Sequence, residues 1–176
     1  LFGISIRELL AFPFRRLSLE TSLPVAEVLK RMQDAVEPRR LWRISGLHRD
    51  FEGVLSMTGF KICRVINYRN SFLPIVVGKM LPRLQGGTRI EVQMRMQWIV
   101  TAFMLLWAGF PVLLLTTALL HIDIGILDSR APQGLRPHQF AAAIAMVVFG
   151  YVLCAVAFNI EAKRAQVLLL KILDVR

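Results

Sequence analysis

Up to Met96 the chain alternates polar and apolar positions as a folded domain does, whereas after it long runs carry no charge. Leu17 and Leu19 alternate with Ser18 and Glu20, the two-residue period of a strand with one buried face. Ser22-Leu23-Pro24 then offers a helix start. Val25, Val28, Leu29, Met32 and Val36 follow at helical spacing, with Glu27, Lys30, Arg31 and Asp34 on the other side, and Glu37-Pro38 ends the element. Residues 51–56, 60–66 and 72–81 read as strands, the first two joined at Met57-Thr58-Gly59 and the third ending before a Gly86-Gly87 turn. The next strand has the clearest pattern: Ile90, Val92, Met94 and Met96 alternate with Arg89, Glu91, Gln93 and Arg95. It leads almost without a linker into Trp98, which implies a sheet held close to whatever surrounds the following apolar run.

From Trp98 to Leu120 no side chain is charged, and 23 residues of helix extend about 34 Å, enough for a hydrocarbon core of about 30 Å. Gly109-Phe110-Pro111 lies mid-run and predicts a mild kink. A second charge-free stretch runs from Pro137 to Ile160, with Pro137 at its start and Asn159 and Glu161 at its exit. Both exceed the length usual for a buried core helix. The expected architecture is therefore a membrane protein: an α+β N-terminal domain, one helix on a mainly antiparallel sheet, followed by a two-helix transmembrane hairpin. The boundaries that follow are an apolar N-terminal segment at 1–14, the basic α+β domain at 15–96, and the hairpin at 97–160 with spans near 98–120 and 139–160. An amphipathic C-terminal helix at 161–176 completes the chain; continuation of the second span as a helix covering the sheet fits its pattern equally well. The chain opens on Leu1, so residues preceding it are expected.

Composition agrees with this division: 55% of residues are apolar, too many for an ordinary soluble domain of 176 residues. Charge then sets orientation. Of 22 Lys and Arg, sixteen precede the first span, four follow the second and two lie between, so the positive-inside rule puts both termini in the cytoplasm. Cys63 and Cys154 fall in unlike settings and predict no disulfide or metal site.

The run from Phe60 to Pro74, followed by Gly78-Lys79, Gly87-Thr88-Arg89-Ile90 and an apolar helix, resembles uncharacterised small bacterial membrane proteins with two transmembrane helices. The resemblance covers about residues 51–120. It implies a bacterial inner membrane, or an internal photosynthetic-type one, and no activity.

Four features could meet a ligand or partner. Arg39, Arg40, Arg43 and Arg49, with Trp42 and His48 among them, suit anionic lipid; nucleic acid is the least favoured reading for a domain so near a membrane. Asn67-Tyr68-Arg69-Asn70-Ser71 offers donors to an anion through Arg69 and Asn70, although a self-capping turn is favoured. His121 and His138 end the two spans on one side, where a pigment would be held only within a larger complex; no metal and no other cofactor is expected. Ala141/Ala145 and Gly150/Cys154 set small residues four apart for helix packing. No Ser/His/Asp set, HExxH, GxGxxG or P-loop occurs. The expected function is a non-catalytic accessory or structural subunit of a membrane complex, binding lipid and other membrane subunits. The alternative is a membrane-anchored lipid-binding module or an enzyme acting on an anionic ligand.

Overall fold

A computed structural model describes residues 13–38, 49–68, 70–84, 86–120 and 137–174. The elements are β1 (Phe14–Thr21), α1 (Val25–Ala35), β2 (Val36–Glu37), β3 (Phe51–Ser56), β4 (Gly59–Arg64), β5 (Ile75–Pro82), β6 (Thr88–Arg95), α2 (Trp98–Leu119) and α3 (Pro137–Leu173). They fall into two compact units, one of residues 1–97 with 155–176 and one of residues 98–154.

In the first unit six strands form one sheet in the order β1-β6-β5-β4-β3-β2. All neighbours are antiparallel except the two-residue β2, which lies parallel to β3 with Val36 opposite Phe51. The register puts Leu17, Leu19, Ile90, Val92, Met94, Val76, Met80, Phe60, Ile62 and Phe51 on one face, where all but the half-buried Leu17 are buried. The opposite face carries Arg16, Glu20, Arg89, Glu91, Arg95, Lys79 and Lys61, the two-sided pattern expected of an antiparallel sheet. Opposite Phe60 sits Gly78, and the Phe60 ring fills the space a β-carbon would take, 2.1 Å from that position.

Two helices, not one, cover the apolar face. Helix α1 buries Val28 and Met32, as its spacing predicts. The C-terminal part of α3 buries Phe158, Ala162, Ala165, Leu169 and Leu173, positions that recur at helical period. Ala162 and Ala165 are both fully buried. Its bonds to β1 fix its direction: Arg15 Nε donates to Asn159 Oδ1 (3.0 Å) and Thr21 Oγ1 to the Leu173 carbonyl (3.2 Å). Fourteen helical residues rise about 21 Å and six strand residues about 20 Å, so α3 runs beside β1 in the same sense. Residues 161–173 thus continue the helix that begins at Pro137.

The second unit contains α2 and the first part of α3, the two helices long and apolar enough to cross a membrane. Pro111 lies inside α2 as expected. Their large side chains are mostly exposed, Leu106 at 75%, Leu105 at 69% and Phe149 at 65%. Where a β-carbon would stand on Gly150, the Trp107 indole Nε1 is 2.9 Å away, so glycine permits this approach between the two helices.

Candidate functional site

The most concentrated group of interacting polar side chains lies at one rim of the sheet, where β1 begins and β4 and β6 end. Arg64, the last residue of β4, points to the apolar face because it alternates with Phe60 and Ile62. At that rim it would leave a cation beside buried Phe51, its partner in β3. The charge is met by Glu161 of α3, whose residue is 2% exposed. Arg64 donates from Nε (3.1 Å) and Nη2 (2.6 Å) to Glu161 Oε2. The other carboxylate oxygen accepts from the Tyr68 hydroxyl and from Arg164 Nη1 (2.9 Å). Tyr68 Oη in turn accepts from Arg64 Nη2 and Arg164 Nη1, each at 3.0 Å. Four side chains, two guanidiniums, one carboxylate and one phenol, thereby close a network around a buried carboxylate. Beside it the fully buried Asn159 takes the Arg15 bond and donates through Nδ2 to the Ala155 carbonyl (2.8 Å). Among the described residues no buried side-chain nitrogen or oxygen lacks a partner.

Loss of water around its hydroxyl pushes the Tyr68 phenol above its usual range; the hydrogen bond to Glu161 and that carboxylate's charge add to the rise. Arg64 and Arg164 pull the other way. Tyr68 as a whole is 49% exposed, so the effect concerns the oxygen bonded to Glu161. The phenol is therefore held as a neutral donor at neutral pH. With its carboxylate bonded to four donor groups from three side chains, Glu161 is poorly placed as a general base or nucleophile. What the group can do is bind α3 to the sheet and leave cationic N–H groups at the rim: the Arg164 side chain is 55% exposed, that of Arg64 16%.

Arg49, expected at an anion-binding surface, donates from Nη1 to the carbonyls of Gln33 (2.5 Å) and Val36 (2.8 Å). It satisfies the end of α1, where a cation is favoured. Asn70 forms the favoured turn, its Oδ1 accepting from the Phe72 N–H at 3.0 Å. His138 is exposed at the second position of α3. Of the small residues, Gly150 and Cys154 are buried while Ala141 and Ala145 are exposed. Arg39, Arg40, Arg43, Arg69 and His121 lie outside the described residues, and Trp42 and His48 do too.

In the sequence Glu161 reads as a charge marking the exit of a span, and Arg64 as one position within a strand. A signal did exist in the stripe Phe158, Ala162, Ala165, Leu169 and Leu173, which places Glu161 beside the buried face of the helix. Comparisons of the chain with protein-family models, curated proteins and solved structures find no match.

Proposed function

We propose that the protein is a non-catalytic, integral subunit of a larger membrane complex, in which the helix pair α2/α3 anchors a cationic α+β domain to the bilayer. The observation that carries this reading is the exposure of apolar side chains along both helices, from Trp98 at 74% and Leu106 at 75% to Phe149 at 65%. In water such surface costs about 25 cal/mol per Å², whereas in hydrocarbon it costs nothing. A core helix of a soluble domain would bury the same side chains.

Chain continuity supports anchorage at the rim. Arg95, at the end of β6, pairs with Phe14, and Asn159 bonds the adjacent Arg15, so β6 ends at the same rim of the sheet where Asn159 is held. With sixteen of the 22 cationic residues before α2, four after the second apolar run and two between, the sheet and both termini lie on the cytoplasmic side of a bacterial inner, or internal, membrane. Exposed Ala141 and Ala145, four residues apart, give a neighbouring subunit's helix a place to approach.

The test is extraction followed by copurification. The full chain is expected to stay in the pellet after alkaline carbonate washing and to migrate in mild detergent with a stoichiometric partner. Release by carbonate would refute membrane integration, and migration only as a free chain would refute the subunit role.

A further inference from the structure

We propose that Arg164, Arg64 and Tyr68 form a seat for the phosphate of an anionic phospholipid at the point where α3 leaves the bilayer. The inference rests on the membrane reading above and adds a ligand to it. The network holds two guanidiniums against one carboxylate, which leaves one formal positive charge, the complement of a head group carrying one negative charge. Arg164 uses only Nη1 within the network, so among the described residues its Nε and Nη2 donate to nothing else, and Arg64 Nη1 likewise. An arginine presenting two adjacent N–H groups matches a phosphate oxygen pair.

Pre-organisation distinguishes these cations from ordinary surface arginines. Glu161 and Tyr68 both bond Nη1 of Arg164, whose side chain stays 55% exposed, so less side-chain freedom remains to be lost on binding. The phenol supports this as a neutral group, adding no negative charge that would repel phosphate.

Depth identifies the source of the phosphate. The charge-free run ends at Ile160, and Arg164 follows by four helical residues, about 6 Å of rise. A bilayer's head-group layer is about 5–7 Å thick on each side, so a span that ends with the charge-free run at Ile160 carries the guanidinium at the level of the lipid phosphates. A free phosphate ion would find the same donors but no acyl chains beside the exposed apolar surface of the helix.

The test uses the full chain in nanodiscs of phosphatidylcholine with a minor fraction of phosphatidylglycerol, with native mass spectrometry reading the lipids that stay bound on release. Wild-type protein is expected to retain phosphatidylglycerol over phosphatidylcholine, and R164Q to lose about fivefold of that preference, the effect of one cation near the surface. R83Q is the control: Arg83 is exposed at the opposite rim, paired with Glu20, and its loss should leave retention unchanged. An unchanged preference in R164Q, or an equal loss in R83Q, overturns the seat. Equal displacement of the retained lipid by millimolar inorganic phosphate overturns the lipid as its occupant. Carbonate release of the chain would instead refute the membrane reading, so the two failures are distinguishable.

Discussion

Replacing Arg64 with Leu tests the network around Glu161 directly. The substitution removes two short charge-assisted bonds, at 3.1 and 2.6 Å, from a carboxylate whose side chain is 3% exposed. Breaking a buried ion pair by deleting one partner costs about 3–5 kcal/mol. Here Tyr68 and the half-exposed Arg164 still serve the other oxygen, so the lower end applies, about 3 kcal/mol. Glu161→Gln keeps an acceptor for Arg64 but leaves its largely buried guanidinium without a counter-charge, so a loss of about 1–3 kcal/mol is expected. The double variant R64L/E161L replaces the pair by apolar groups, while Tyr68 and Arg164 are exposed enough to return to water, so it should lie within about 1 kcal/mol of wild type. The expected signature is thus strong non-additivity. Far-UV dichroism is a poor probe, because apolar helices persist in detergent. Amide exchange of peptides from β1, β4 and residues 158–173 of the full chain reports the sheet itself. In R64L these should exchange about a hundredfold faster, the equivalent of about 3 kcal/mol, and recover in the double variant. Unchanged protection in R64L, or a double variant as unstable as the single, would show that the pair does not hold α3 to the sheet.

Three further outcomes follow from other parts of the molecule. The raised Tyr68 phenol means that its contribution to stability is complete below the ordinary value of 10.0 and is lost as pH rises through the higher folded value. Spectrophotometric titration should therefore show the Tyr68 phenol ionising above that value, as the component that Y68F removes. In β3, Gly53 has φ +153° and a β-carbon there would stand 2.2 Å from the Lys61 carbonyl oxygen. G53A should cost at least about 2 kcal/mol in the exchange assay, and a smaller loss would mean that β3 shifts freely against β4. Gly150→Val forces the Trp107 indole away, so Trp107 emission should shift and thermal stability in detergent fall, whereas an unaltered spectrum would place the two helices farther apart than 2.9 Å allows.

The sheet was largely legible because each strand with one face on the core repeats every two residues: β6 is read from Ile90, Val92 and Met94 alone. Its neighbour β1 was harder. The alternation visible at Leu17 and Leu19 begins three residues earlier, at Phe14, because the inward position at 15 holds an arginine that bonds Asn159 rather than an apolar side chain. The strand expected at 72–81 starts only at Ile75, since Asn70 closes a turn onto Phe72. The strand expected at 60–66 stops at Arg64, where the network begins. The two-residue β2 has no period to read at all, and its pairing is decided by where α1 delivers Val36.

Each of these departures involves a polar group whose meaning depends on a partner distant in sequence. Arg15 and Asn159 are 144 residues apart, Arg64 and Glu161 97. Hydrophobic periodicity is a property of one segment, so it locates helices and strands and the faces they bury. A buried charge gives no such local sign. It is tolerated only where another element supplies its counter-charge, and that supply is fixed by register and helix direction. The bonds from Arg15 and Thr21 set α3 beside β1, and with α3 so placed the carboxylate of Glu161 reaches Arg64 across the sheet. A chain in which α3 slid by one turn would still bury an apolar stripe, but it would strand Glu161 against apolar neighbours. The paired charges therefore select one registry of a packing that the apolar residues alone leave open.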